Sequence, residues 1–150
     1  MTNTDPLATL NPSIVGQAEK AHTAILHKVL TGTTLDEQQW ITLQLAIGSG
    51  ERVERASFVN QVAQAAKYPP ATVEAAIAAL SEAELLEPSP ADAHYLAATP
   101  KGRELVSTLR ARVAQFITRA YGSVSSDDLA TTARVLRTIT AKLSEDLARL

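Results

Sequence analysis

Apolar positions recur at three- and four-residue steps over most of the chain, the spacing of helices that turn one face inward. Over residues 13–30 the stripe is Ile14, Ala18, Ala21, Ile25 and Val29, widened by Leu26 and Leu30. Asn11 and Pro12 suit a helix cap and a first helical position, and Gly32 in Thr31-Gly32-Thr33 is a natural stop. A second helix is predicted from Asp36, with Gln39 three residues on to complete a capping box that satisfies free backbone amides. It carries Trp40, Leu43 and Ile47 and stops near Gly48-Ser49-Gly50. Beyond the charged stretch at residues 51–55, a third helix of about three turns bears Phe58, Val59, Val62, Ala63 and Ala66.

Tyr68-Pro69-Pro70 ends that helix, because proline has no amide donor and clashes with the preceding turn. Pro70 can open the next helix, which covers residues 72–84 with Val73, Ile77 and Leu80 on one face. Two helices joined by so short a turn form a helix-turn-helix. Leu85-Leu86-Glu87 and His94-Tyr95-Leu96-Ala97 then read as two short strands around the loop Pro88-Ser89-Pro90-Ala91-Asp92-Ala93, a small hairpin or wing. Thr99 and Pro100 start a long helix with the stripe Leu105, Leu109, Val113, Phe116 and Ala120, ending near Tyr121-Gly122. Ser125, with Asp128 three residues on, caps a last helix carrying Leu129, Ala133, Leu136, Leu143, Leu147 and Leu150. The fold class is therefore mostly α with a small β-hairpin wing. Residues 1–10 form a tail and residues 11–150 a single domain, with the winged helix-turn-helix at about 36–98 and flanking helices at about 11–31 and 100–150.

Composition narrows the class. With 150 residues, 45% of them apolar, the chain can bury one core but hardly two. Cysteine is absent, which excludes disulfides, thiolate metal sites, cysteine nucleophiles and thiol-based oxidation sensing. MTNTDPLATL lacks the basic and apolar segments of a signal peptide, and no apolar run approaches the roughly 18 residues of a membrane span. The expected location is cytoplasmic, with no membrane partner.

Four segments in order resemble one family. Leu35-Asp36-Glu37-Gln38-Gln39-Trp40-Ile41-Thr42-Leu43 is similar to the L-T-x-x-Q-W-x-x-L stretch of MarR-type regulators. Ala71-Thr72-Val73, followed by Leu80 and Leu85-Leu86-Glu87, resembles their recognition helix and the strand after it. Thr99-Pro100-Lys101-Gly102-Arg103 matches the T-x-x-G-R beyond the wing, and Ser125-Ser126-Asp127-Asp128-Leu129 resembles the start of their C-terminal dimerisation helix. The resemblance runs from about Leu10 to Leu150. It implies a homodimeric winged-helix transcription factor that binds a palindromic operator in double-stranded DNA, often releasing it when a small aromatic or oxidising effector binds. The wide apolar stripes of the first and last helices support a dimer independently, because a monomer of this size would leave them as an exposed patch.

The charge departs from that family. Across residues 51–95 the only bases are Arg52, Arg55 and Lys67, against seven acids, for a net of −4, whereas residues 101–149 carry nine bases and five acids, for +4. DNA readers ordinarily concentrate bases where phosphates approach. The resembled proteins usually carry an arginine at the wing tip; this wing has none. Candidate DNA contacts are Arg52, Arg55, Lys67 and Tyr68 for the backbone and Pro70, Ala71, Thr72, Glu74 and Ala75 on the recognition helix. Thr72 can bond a phosphate or base edge, Glu74 can accept from a cytosine amino group, and the alanines can touch a thymine methyl. The alternative is a degenerate acidic winged helix that binds protein or a small ligand and has lost DNA.

By that resemblance an effector would lie between the dimerisation helices and the winged-helix lobe, where His22 and Trp40 are the polar-tipped aromatic candidates. Core packing for Trp40 and a surface place for His22 are the alternatives. Enzyme chemistry finds no support. His22 and His27 lie five residues apart, roughly 140° around a helix, which does not suit one metal. No glycine-rich phosphate loop occurs, and Asp127 and Asp128 sit in a first helical turn where they meet the helix dipole. No catalytic residue, metal or cofactor is expected.

Overall fold

Several helix starts form as their capping residues dictate. In the computed structural model, which describes residues 9–150, α1 (Pro12–Leu30) begins where the Asn11 side chain accepts the amide of Ile14 at 3.1 Å. Of the tail expected at residues 1–10, positions 1–8 lie outside the described residues. Helix α2 (Glu37–Gly48) has the full capping box: Asp36 accepts from the Gln39 amide at 2.8 Å, and the Gln39 side chain accepts from the Asp36 amide at 3.2 Å. Then come β1 (Val53–Glu54), α3 (Arg55–Ala66), α4 (Pro70–Glu82), β2 (Leu86–Pro88), β3 (Tyr95–Ala98), α5 (Pro100–Gly122) and α6 (Ser126–Leu147). Ser125 caps α6 by accepting from the Asp128 amide at 3.2 Å.

Three details differ from expectation. The charged stretch at 51–55 contains β1, so the hairpin is one part of an antiparallel sheet ordered β1-β3-β2. Val53 pairs with Leu96 and turns inward, 9% exposed, while charged Glu54 stays outside. The wing strands sit one residue later than expected. Helix α4 stops at Glu82, because Glu84 takes a left-handed conformation (φ 62°) and closes a Schellman motif, with Leu85 N–H donating to the Leu80 carbonyl and Glu84 N–H to that of Ser81.

The chain divides into two compact units, one up to Val113 and one of Ala114–Leu150. The first holds the core. Leu43, Val62, Val73, Ile77 and Leu80 are fully buried, joined by Phe58, Trp40, Leu85, Leu86, Leu96, Val106 and Leu109. The T-x-x-G-R segment has a packing role here. A side chain at Gly102 would put Cβ 2.3 Å from the Leu85 carbonyl oxygen, so only glycine lets α5 approach so closely. Thr99 locks the same corner: its hydroxyl donates to the Glu84 carbonyl at 2.6 Å and accepts from the Gly102 amide at 3.0 Å. In the second unit α6 has no buried residue, and Leu143 and Leu147 are 64% and 55% exposed.

Candidate nucleic-acid interface

Helices α3 and α4 meet at a tight turn made by Lys67, Tyr68 and Pro69. Lys67 adopts φ 58°, a conformation glycine usually fills, and Tyr68 N–H donates back to the Ala63 carbonyl at 3.1 Å. Pro70 stands at the first position of α4, where its missing amide costs nothing. From there α4 turns Val73, Ala76, Ile77 and Leu80 into the core and presents Pro70, Ala71, Glu74, Ala75 and Ala78 to solvent. This is the outward face the sequence predicts. Thr72 is half-buried beside it.

The basic residues are not distributed as independent charges. Arg55 opens α3, and its Nη2 donates to Oε2 of Glu74 at 2.6 Å, bridging the start of α3 to the middle of the α4 outward face. Both side chains stay roughly half exposed, at 43% and 49%. The Arg55 backbone amide also donates to the His94 carbonyl at 2.9 Å, tying the same residue to the wing. Arg52 lies over the Tyr95 ring, its guanidinium carbon 4.6 Å from the centroid, so a cation just before β1 is laid on a wing strand. Arg55 and Glu74 are separate charges along the chain, and the fold makes them one neutral pair. Asp92 is likewise engaged locally, accepting from the His94 amide at 2.9 Å within the wing turn.

Tyr68, the expected backbone contact beside Lys67, stands in the turn between α3 and α4. Its ring is half-buried and packs against the core. Burial raises its hydroxyl pKa above the ordinary phenol value, and the carboxylates of Glu37 and Asp36 at the start of α2 add to that rise. Lys67 itself is exposed at the turn.

The two effector candidates are placed apart in character. Trp40 is 5% exposed and belongs to the core, whereas His22 is exposed on α1, its Nδ1 2.6 Å from the Ala18 carbonyl oxygen. Among the clefts of the described residues, one is lined by Thr34, Leu35, Gln39, Ala79, Leu80, Glu82 and Ala83, and a second by Ser57, Asn60, Gln61, Gln64 and Ala65; neither lining includes His22 or Trp40. The second cleft exposes a polar stripe of α3 that sequence reading passed over, although Ser57, Asn60, Gln61 and Gln64 have helical spacing. Also missed was Tyr95 as the platform for Arg52, which no local pattern signals.

No protein-family model and no curated protein matches the sequence. Solved structures do match the fold. CouR from Rhodococcus jostii RHA1, bound to p-coumaroyl-CoA, superposes with a TM-score of 0.72 at 22% identity over 84% of this chain and 88% of its own. BpsR from Bordetella bronchiseptica, whose DNA binding is regulated by 6-hydroxynicotinic acid, gives 0.67 at 22% identity over 89% and 94%. A MarR-family transcriptional regulator from Rhodococcus sp. RHA1 gives 0.69 at 22% identity over 87% and 97%. The chain therefore has the winged-helix fold of MarR-family regulators. Among the described residues no helix is long and apolar enough to cross a membrane.

Proposed function

We infer that this protein is a transcriptional regulator that binds a palindromic operator as a two-fold dimer and is modulated by a small aromatic effector. The observation that carries the reading is the outward face of α4, opened by Pro70 and standing next to the wing within the fold that MarR-family regulators share. The first turns of a recognition helix enter the major groove in such proteins. The dimer rests on α6, where Leu129, Ala133, Leu136, Leu143 and Leu147 fall on one seam at steps of three, four and seven, the spacing that pairs helices. The exposed Val15 and the half-buried Ile14 of α1 suit the same role. An aromatic effector is supported by the p-coumaroyl-CoA of CouR and the 6-hydroxynicotinic acid of BpsR. Its expected border residues remain His22 and Trp40, and the single tryptophan reports on binding. Titration with aromatic acids is expected to change its emission or the thermal midpoint.

Selection from random duplexes with the purified full chain, followed by a salt series, tests DNA binding. An enriched palindrome is expected, with a shallow dependence on salt. Each neutralised phosphate contributes about 0.9 to the log–log slope, so with Arg55 paired to Glu74 the remaining bases Arg52 and Lys67 in two protomers cap the side-chain share at roughly four. Helix N-termini add phosphate contacts without basic side chains. A slope near ten would show that another, more basic face meets DNA. No enrichment at low salt would favour a winged helix that binds protein or a small ligand, the reading to which the −4 balance of residues 51–95 lends itself.

A further inference from the structure

The outward face of α4 is almost entirely methyl groups. In its first two turns Ala71 and Ala75 are exposed, Ala78 follows, and Glu74 is the one exposed side chain there that can hydrogen-bond. Arg55 reaches over from α3 to the centre of this face and donates to Oε2 of Glu74 at 2.6 Å. The pair uses one carboxylate oxygen and one of the five guanidinium N–H donors, which leaves acceptor capacity on Glu74 and donors on Arg55 directed from the same spot. Arg55 is held from behind as well, since its backbone amide is tied to the His94 carbonyl.

Resting on the reading of α4 as a DNA-recognition helix, we propose that Arg55 and Glu74 act together as a reader of one C·G base pair in each half-site. In the major groove a C·G pair shows the cytosine N4 amino donor beside the guanine O6 and N7 acceptors. A carboxylate beside a guanidinium is the complementary pattern, with Glu74 accepting from cytosine and Arg55 donating to guanine. An A·T pair fits less well, because thymine offers a single O4 acceptor and sets its methyl group next to it. The exposed Ala71 and Ala75 on either side of Glu74 can accommodate thymine methyls next to that cytosine. The dyad also accounts for an acidic residue on a recognition helix, since Arg55 neutralises the charge that would repel phosphate.

The test compares duplex selection by the wild-type chain with Glu74→Ala, Glu74→Gln, Arg55→Ala and the double variant, each checked for an unchanged thermal midpoint. A good bidentate contact discriminates by about 1–3 kcal/mol, or roughly 5- to 150-fold. Either alanine variant is therefore expected to lose at least about fivefold discrimination at one base pair per half-site and to keep the other positions. The double variant should lose no more than either single one, because the two residues form one unit. Glu74→Gln should move the preference at that position towards adenine, which Gln contacts through N6 and N7. An enriched palindrome whose base preferences ignore all four variants would overturn the dyad and leave the DNA-binding reading standing. Failure of the wild-type chain to enrich any duplex would overturn both.

Discussion

In the unit up to Val113, the stripe Val73, Ile77 and Leu80 of α4 is completely buried, and so are Leu43 and Val62 opposite it in the core. Helix α6 carries a stripe just as regular, yet none of its residues is buried, and Leu143 is 64% exposed. Helix α1 contains both outcomes: its last two residues, Val29 and Leu30, are 4% exposed, while Val15 near its start is 38% exposed. Periodicity therefore says which face of a helix is apolar and leaves open what covers it. For α4 the cover is α2 and α3 of the same chain; for α6 the proposed cover is a second copy. A large uncovered apolar face is uncommon in a monomer that works alone.

The comparison can be broken at either end. On the covered side, Leu43→Ala removes a side chain with no exposure and leaves a cavity. It should cost about 3 kcal/mol of folding stability, within the 2–5 kcal/mol of such truncations. Chemical denaturation measures this, and the loss should not depend on protein concentration. On the uncovered side, Leu143→Glu should leave the buried core of the first unit intact and weaken self-association. Two copies of the charge enter a two-fold interface, so a penalty of about 1.4 kcal/mol for each gives roughly a 100-fold weaker dimer. Light scattering should then move towards the 16.0 kDa of one chain at micromolar concentration. A wild-type protein already monomeric there would overturn the dimer.

The elements legible in the sequence are those whose causes are local. Asn11, the Asp36–Gln39 box and Ser125 each act within four residues, and each helix begins where its cap stands. Strand β1 was not legible, because two residues carry no periodicity and Val53 becomes a strand only by pairing with Leu96, 43 positions on. The left-handed turn at Glu84 has no glycine to announce it; the hydrophobic entry of Leu85 into the core sets it instead. At the interface the outward residues of α4 followed from spacing. The pairing of Arg55 with Glu74 did not, since 19 residues and a turn separate them and either charge alone reads as solvated.

The smallest effect lies where core and candidate interface meet, at Tyr68. Its hydroxyl pKa is raised by burial and then by Glu37 and Asp36, so folding favours the neutral phenol. Below the ordinary phenol value of about 10, both folded and unfolded chains keep the proton, and the contribution to stability is fully present. As the pH rises past that value, the unfolded chain ionises first, and stability is lost until the folded group also gives up its proton. Tyr68→Phe removes this term. It should change stability by less than about 0.5 kcal/mol at pH 7, where the hydroxyl is neutral in both states. Between about pH 9 and 11 the variant should lose stability less steeply than the wild-type chain, by denaturation at matched ionic strength. Identical alkaline limbs would mean that the Tyr68 hydroxyl ionises as it does in water, and that the turn between α3 and α4 is solvated like the exposed face of α6 instead of sealed like the core beside it.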